Sequence, residues 1–118
     1  MTLRYSHVKI PFSIGDGGYV TEYEGILFDW DEAKENANEK KHGVSFDEAM
    51  TAFVDEHAQI YDDDEHSNDE DRFILIGHSI KTRLLMVCHC YRDSDTITRI
   101  ISARIATEHE RQKYENGR

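Results

Sequence analysis

Three apolar segments in the second half of the chain most constrain its fold. Residues 72–79, 83–92 and 97–105 are rich in β-branched and other apolar side chains, a composition typical of strands. Only residues 80–82 and 93–96 separate them, and connections this short join antiparallel neighbours, because a parallel crossover needs about a dozen residues. The sequence therefore predicts an antiparallel meander of three strands.

Two helices are predicted ahead of the meander. Asp31 can cap the first helix, and Gly43 can end it in a left-handed turn. Ser45 and Glu48 match the S-x-x-E capping box that often begins a helix. In this second helix, apolar residues recur three and four positions apart, as on a side that faces a core: Phe46, Ala49, Met50 and Phe53.

The second helix is expected to extend to Val54. Short strands over 26–30 and 58–61 complete the first part of the fold. Thr107 with Glu110 forms a further capping box, which begins a C-terminal helix. The predicted architecture is α+β: an antiparallel sheet, the two N-terminal helices packed on one face, and a C-terminal helix.

The first 24 residues differ in character from the rest. Apolar and polar residues alternate there before a glycine-rich break at 15–18. Pro11 cannot donate a hydrogen bond to a neighbouring strand, so a strand at this position would lie at a sheet edge. We interpret residues 1–24 as an N-terminal extension, either a hairpin or an arm, and residues 25–118 as a single domain.

The charge of the chain is unevenly distributed. The net charge of −10 argues against a protein that binds nucleic acid over its whole surface. Residues 1–71 contain 5 basic and 19 acidic side chains, whereas residues 72–118 contain 9 basic and 5 acidic ones. The meander is therefore locally basic, which permits an anion-binding site on an otherwise acidic protein.

An acidic segment precedes the meander. Residues 62–71 contain 7 acidic side chains, so we expect a solvated loop. Asp62 and Asp64 have the spacing of the first two ligands of an EF-hand. The match then fails, because His66 stands at the third ligand position and Phe73 at the position of the bidentate glutamate. The segment is not expected to bind calcium.

The two cysteines are expected to remain reduced. Cys88 and Cys90 are two positions apart on a predicted strand, where a disulfide would be strained. Together with His89 they also lack the spacing of a zinc site, because the three side chains alternate between faces. The chain has no apolar stretch of about 18 residues and no secretory signal, so together with reduced thiols we expect a cytoplasmic protein without membrane contact. We expect neither a metal nor a cofactor.

Arginines of the meander are the candidate phosphate ligands. They lie at or near strand ends, and neighbouring strands are about 4.8 Å apart, so several guanidinium groups could converge at one edge of the sheet. A guanidinium binds two phosphate oxygens at once and can stabilise the added negative charge of a transition state. Surface ion pairs are the alternative role for each of them. The candidates are Arg72, Arg83, Arg92, Arg99 and Arg104.

Histidine is the usual acid or base in RNA cleavage, where a 2′-hydroxyl loses its proton and attacks the adjacent phosphate. The chain has seven histidines. His78 and His89 lie in predicted strands, and His42 lies at a helix end, where the dipole favours a protonated ring. A structural or surface role is the alternative for each of them, so the choice stays open at this point.

A set of short motifs recurs in a fixed order along residues 26–115. Ahead of the meander the motifs are Phe28-Asp29-Trp30-Asp31-Glu32-Ala33-Lys34, Asn38 and Lys41-His42-Gly43-Val44-Ser45-Phe46-Asp47-Glu48-Ala49. From the meander onward they are Glu70-Asp71-Arg72, Gly77-His78-Ser79, Arg83-Leu84-Leu85, Tyr91-Arg92, Arg99-Ile100-Ile101-Ser102-Ala103-Arg104, Glu110-Arg111 and Tyr114. In this combination and order they resemble the BrnT family of ribonuclease toxins from type II toxin–antitoxin systems.

The resemblance implies a RelE-like fold and an endoribonuclease that cleaves RNA and thereby inhibits translation and growth. No metal should be needed, because the sequence has no convincing set of metal ligands. Our candidate catalytic residues remain the five meander arginines and His78, and we expect Arg92, Arg99 and Arg104, which match the family pattern, to hold the scissile phosphate. The resemblance also implies a BrnA-like antitoxin with a ribbon-helix-helix part, through which the pair would bind operator DNA. A homodimer is a further option for the chain.

Two alternatives remain open at the level of sequence. The first is a non-catalytic interaction module of the same fold that binds a partner regulator. The second is an acidic protein that mimics nucleic acid. Residues 1–24 and the acidic segment at 62–71 lie where they could obstruct RNA, so they bear on activity more than on fold.

Overall fold

The computed structural model describes residues 8–11, 19–66 and 70–117, with side chains for 20–66 and 70–117. Three helices and one sheet make up this part of the chain. The strands are β1 (Val8–Pro11), β2 (Tyr19–Tyr23), β3 (Ile26–Asp29), β4 (Gln59–Asp62), β5 (Phe73–His78), β6 (Leu84–Arg92) and β7 (Ile97–Ile105). The helices are α1 (Glu32–His42), α2 (Phe46–Thr51) and α3 (Glu108–Asn116).

The sheet is mixed. Its strand order in the described residues is β1-β2-β3-β7-β6-β5-β4, and β4 to β7 form antiparallel neighbours in sequence order. The pair β3–β7 is parallel, with Leu27 opposite Ile97 and Asp29 opposite Arg99. The α+β class is confirmed, but the prediction of a fully antiparallel sheet is wrong. The chain between β3 and β7 includes two helices and the strands β4 to β6, which is ample length for a parallel crossover.

The helices cover both faces of the sheet. Side chains alternate along β6, so Leu85 and Val87 join the main core beneath α2, together with Phe46 and Met50. Leu84 points to the opposite face and packs in a second, smaller core with Ile76 and Tyr114. Because Tyr114 belongs to α3, the C-terminal helix lies on the face opposite to α2.

The N-terminal strands extend the sheet beyond β3. β1 pairs with β2, and β2 pairs with β3, both antiparallel. The ring of Tyr23 at the end of β2 is buried in the main core. The division of the chain at residue 24 stays a prediction, and residues 1–7 and 12–18 of the proposed extension lie outside the described residues.

Helix α2 is shorter than predicted. It ends at Thr51 and continues as a 3₁₀ turn over Ala52–Val54, so the expectation of one helix to Val54 is wrong. The change coincides with a close packing contact, because a Cβ at Gly77 would lie 2.9 Å from the carbonyl oxygen of Ala52. Phe53 still reaches the core and contacts Phe28 edge to face at 5.1 Å between ring centroids. No helix of the described ranges is long and apolar enough to cross a membrane.

A bulge in β7 adjusts which residues face the main core. Cys88 lies opposite Ser102, but His89 lies opposite Ile100, so Ile101 has no partner in the register. The extra residue allows Ile100 and Ala103, three positions apart, to point into the same core. A strict two-residue period would have placed these side chains on opposite faces.

Asn38 connects α1 to the centre of the sheet. It is the buried residue of an otherwise polar helix. Its amide nitrogen donates to the carbonyl oxygens of Val44 (3.0 Å) and Ala103 (2.8 Å), and its side-chain oxygen accepts from the Ala103 N–H (3.1 Å). Hydrogen bonds therefore, more than apolar burial, fix the position of α1 on β7.

We expect Asn38→Ala to lower the free energy of unfolding by about 2–4 kcal/mol, because it leaves buried backbone groups of Ala103 and Val44 without partners. Asn36→Ala is the matched control, since Asn36 is exposed on the same helix. Urea unfolding of the two variants measures the difference. Equal stabilities would contradict the role of Asn38.

Candidate active site

His78 lies at the end of β5, where a pocket of about 160 Å³ opens beside the turn that leads to β6. The side chain of His78 is 39% exposed, so the ring is accessible to a ligand. The pocket is lined by Tyr23, Thr51, Val54, Asp55, His78, Ser79 and Ile80.

Two residues from other elements hold His78 in place. The Nδ1 atom of His78 lies 3.1 Å from the hydroxyl oxygen of Tyr114 on α3, and the two rings meet edge to face at 5.1 Å. Asp55, which follows the 3₁₀ turn, accepts hydrogen bonds from the His78 backbone N–H (2.8 Å) and the Tyr114 hydroxyl (2.7 Å). The three side chains form a connected acid–base group, of which Asp55 and His78 also line the pocket.

The electrostatics of Asp55 favour its ionised form. Burial alone would raise the pKa of the Asp55 carboxyl. Hydrogen bonds from the N–H groups of His78 and His57 and from Tyr114 outweigh burial and hold this pKa below its usual range. A carboxylate is therefore present beside the imidazole at neutral pH.

Arg83 bonds Glu48, the residue that the sequence analysis expected in a capping box with Ser45. Its Nε donates to Glu48 Oε2 (2.9 Å), its Nη2 also bonds Glu48 Oε1, and Nη2 donates to the carbonyl oxygen of Gly43 (3.0 Å). Ser79 donates to Glu48 Oε2 at 2.7 Å. Ser45 does cap α2 by accepting from the Glu48 N–H, but the Glu48 carboxylate turns to Arg83 and Ser79 instead of completing a capping box.

The ion pair with Arg83 overcomes the cost of burying Glu48. Burial would raise the pKa of the Glu48 carboxyl. Hydrogen bonds from Arg83 and Ser79 and the charge of Arg83 hold this pKa below its usual range instead. Arg83 remains 37% exposed at its side chain, so its guanidinium is still open to solvent on one side.

Three of the predicted arginines surround the two cysteines on the α3 face of the sheet. Cys90 lies opposite Arg99 in the register, and the positive charges of Arg92 and Arg99 both act on its thiol. Arg72 acts in the same way on Cys88. Arg99 donates to the buried Asp29 (3.1 Å), and Arg92 lies 3.6 Å from Glu70. The arginines converge here, next to acidic partners.

Arg104 lies elsewhere on the same face. It pairs across the sheet with Met86 and bonds Glu110 at the start of α3 through two parallel hydrogen bonds of 2.9 Å each. Glu110 also accepts from the Thr107 N–H, so the predicted capping box is present. The carboxylate thus has two roles, as a helix cap and as the partner of Arg104.

The six predicted site residues therefore occupy three places. His78 and Arg83 flank the β5–β6 turn, Arg104 lies at the start of α3, and the other three arginines lie near the cysteines. Asp55, Tyr114 and Glu48 were not predicted as site residues. Tyr114 belonged to a motif, and Glu48 to a capping pattern, but contacts between residues 23 to 59 positions apart leave no local signal.

The remaining candidates have structural environments. His89 is fully buried between aromatic rings, with Phe53 at 4.9 Å between centroids, and burial lowers its pKa to about 4. Burial raises the pKa of the Cys88 thiol to about 11, and both cysteines are free and buried. In the described part of the chain, no group of three or more His, Cys, Asp or Glu side chains is placed to hold a metal ion.

Fold and site together define a small α+β protein with one mixed sheet and an accessible histidine beside a carboxylate. The family model for the ribonuclease toxin BrnT of type II toxin–antitoxin systems matches residues 30–110. The chain belongs to the BrnT family, which confirms the resemblance inferred from its motifs. A search of curated proteins finds no significant match.

A solved structure shares the fold. The crystal structure of the Brucella abortus ribonuclease toxin BrnT matches with a TM-score of 0.52 and 23% sequence identity. The alignment covers 69% of this chain and 96% of the Brucella chain. At this identity the likeness describes fold alone, and nearly the whole Brucella domain has a counterpart here.

Glu48→Gln is expected to lower the free energy of unfolding by about 1–3 kcal/mol at neutral pH. The cost is moderate because Arg83 is partly exposed and solvent screens the pair. The control is Glu39→Gln, on the exposed side of α1. Thermal or urea unfolding measures both.

The same pair of variants gives a pH test. Because folding lowers the pKa of Glu48, its contribution to stability is complete above about pH 5 and is lost as the pH falls below about 4. The stability difference between wild type and Glu48→Gln should therefore shrink in acid. A difference that stayed constant down to about pH 3 would exclude an ionised Glu48 as its source.

Proposed function

We propose that this protein is a ribonuclease toxin that cleaves RNA without a metal ion and so inhibits translation and growth. The observation that carries the proposal is the accessible His78 ring, held against the Asp55 carboxylate at a pocket in a member of the BrnT family. An imidazole can accept the proton of a 2′-hydroxyl, which is the step that begins metal-independent RNA cleavage.

The arginines are assigned to phosphates by their distance from His78. His78 lies opposite Leu84, whereas Arg99 lies opposite Cys90. A strand rises about 3.3 Å per residue, so these two positions on β6 are about 20 Å apart, too far for both groups to contact one phosphate. We assign Arg92, Arg99 and Arg72 to phosphates that flank the cleaved one.

Arg83 is the arginine next to His78 in the sheet register. It directly precedes Leu84, and its carbonyl oxygen accepts from the N–H of Ser79 (2.9 Å). Its guanidinium is partly exposed and bonds Glu48 on the α2 side of the sheet, whereas the His78 ring contacts Tyr114 on the α3 side. We therefore assign Arg83 to a phosphate next to the cleaved one. Arg104, bound by Glu110, is assigned a supporting role at the rim.

The proposed partner is a BrnA-like antitoxin with a ribbon-helix-helix part, which would bind the operator for both proteins. The net charge of −10 supports this assignment, because an acidic toxin complements a basic partner and makes a poor DNA-binding protein by itself. We place the toxin in the cytoplasm and relate its fold to RelE-like toxins. Homodimer formation remains a further proposal.

A non-catalytic binding module is the second candidate. The observation in its favour is that Arg83, Arg92, Arg99 and Arg104 each lie beside a carboxylate in the described structure. Arginines that are already paired have less charge to offer a phosphate. Such a protein would bind its antitoxin yet leave RNA intact.

We expect His78→Gln to reduce the rate of RNA cleavage by about 100- to 10 000-fold, the usual contribution of a general acid or base. His109→Gln is the matched control, because His109 is exposed on α3. Cleavage of a labelled RNA by purified protein, with and without a chelator and with and without ribosomes, measures both variants.

Three results decide between the candidates. Loss of cleavage in His78→Gln alone, unchanged by the chelator, supports a metal-independent ribonuclease. Cleavage that stops with the chelator contradicts metal independence. Intact RNA under every condition with folded wild-type protein favours the binding module.

Arg92→Lys tests the flanking-phosphate assignment. Lysine keeps the charge but loses the planar fork, so we expect KM for RNA to rise about 3- to 10-fold while kcat is unchanged. Stability should change by less than about 1 kcal/mol, because Arg92 and Glu70 are both partly exposed. A fall in kcat at constant KM would place Arg92 at the scissile phosphate instead.

A further inference from the structure

The hydroxyl of Tyr114 lies between the His78 ring and the Asp55 carboxylate. Asp55 Oδ2 accepts from this hydroxyl at 2.7 Å and from the His78 backbone N–H at 2.8 Å, while Asp55 Oδ1 accepts from the His57 N–H at 3.0 Å. A carboxylate that receives three donors is an acceptor at both oxygens. Asp55 is therefore ionised, and the hydroxyl of Tyr114 donates its hydrogen bond to the Asp55 carboxylate.

This arrangement determines the direction of the next hydrogen bond. A tyrosine hydroxyl has one proton, and the proton of Tyr114 points to Asp55. At the contact of 3.1 Å with His78, the Tyr114 oxygen can therefore only accept, so Nδ1 of His78 must be the donor. Neutral His78 then carries its proton on Nδ1 and a lone pair on Nε2.

We propose that Tyr114, backed by Asp55, is a positioning residue that fixes His78 in the Nδ1–H tautomer, so that Nε2 is the atom that accepts the proton of the RNA 2′-hydroxyl. The proposal rests on the ribonuclease function proposed above. In the described part of the chain Nε2 has no hydrogen-bond partner, whereas Nδ1 is engaged. The ring thus presents one nitrogen to a substrate.

The proton and the bonds can be followed through the step. The 2′-O–H bond breaks, the proton moves to Nε2, and the 2′-oxygen forms a bond to phosphorus. The bond between phosphorus and the 5′-oxygen breaks, and the leaving oxygen takes a proton from water. Imidazolium exists at His78 only between the two proton transfers, because the hydroxide left by that water takes the proton from Nε2. The products are a 2′,3′-cyclic phosphate and a 5′-hydroxyl, with neutral His78 restored.

The same contacts place a negative charge beside the ring. Asp55 Oδ2 lies 3.8 Å from Nδ1, and the Asp55 side chain is only 11% exposed, so the carboxylate is held close to the ring. The titratable groups that face the ring are Asp55, after the 3₁₀ turn, and Tyr114, from α3. Fixing one tautomer and stabilising the charged form are the two tasks that a carboxylate performs for a catalytic histidine.

The test reads the tautomer directly, without RNA. We would record nitrogen-15 NMR of labelled histidine in the full chain at a pH where His78 is neutral, and assign its resonance with His78→Gln. We expect the Nδ1–H tautomer in wild type and a shift toward Nε2–H in Tyr114→Phe. Tyr61→Phe is the matched control, because Tyr61 packs on the same small core but bonds Gln59.

Cleavage assays provide the second measurement. We expect Tyr114→Phe to lower kcat about 10- to 100-fold with KM unchanged, and Tyr61→Phe to leave both unchanged. Unfolding curves of the two variants show whether either has lost its fold, and in that case the NMR of wild type alone still decides the tautomer.

The outcomes separate this inference from the proposed function. An Nε2–H tautomer in wild type, or no tautomer change in Tyr114→Phe, overturns the inference whether or not the protein cleaves RNA. The expected tautomer together with full activity of His78→Gln overturns the catalytic use of Nε2 and the proposed role of His78. The expected tautomer with a kcat loss in both His78→Gln and Tyr114→Phe supports the proposal.

Discussion

The rest of the site depends on the hydrogen bonds that the buried Glu48 carboxylate forms with Arg83 and Ser79. A carboxylate that is 4% exposed is costly unless its oxygens are bonded, and the fork of Arg83 together with the Ser79 hydroxyl satisfies them. Both partners belong to the β5–β6 turn, so the bond fixes α2 against that turn. The hydroxyl of Thr51 on α2 also accepts from the Ile80 N–H at 2.9 Å. The pocket beside His78 is formed by these same segments.

The placement of helices on both faces of the sheet explains how the pocket acquires its acid–base group. Asp55 arrives from the α2 face through the 3₁₀ turn, and Tyr114 arrives from the opposite face on α3. They meet at the end of β5, where Asp55 bonds both the His78 backbone N–H and the Tyr114 hydroxyl. A short α2 serves this arrangement, because Asp55 directly follows the turn that replaces its last residues.

Four arginines of the meander are paired with carboxylates of this acidic protein. Asp29, Glu48, Glu70 and Glu110 neutralise arginines of the meander, and two of these acids are almost fully buried. Pairs formed by buried acids hold the fold together and cannot be given up without cost. The exposed pair of Arg92 and Glu70, at 3.6 Å, is the one that a phosphate could displace most easily.

The sequence by itself determined the order of elements, the N-caps at Asp31, Ser45 and Thr107, the antiparallel meander and the family, because these follow from local spacing and short motifs. It also singled out His78 and the arginines as residue types suited to phosphate chemistry. Only the tertiary structure decided the parallel pairing of β3 with β7, the side of the sheet that α3 covers and the partner of each arginine. All three depend on contacts between residues far apart in the chain. Geometry and burial select these contacts, and no local sequence pattern records them.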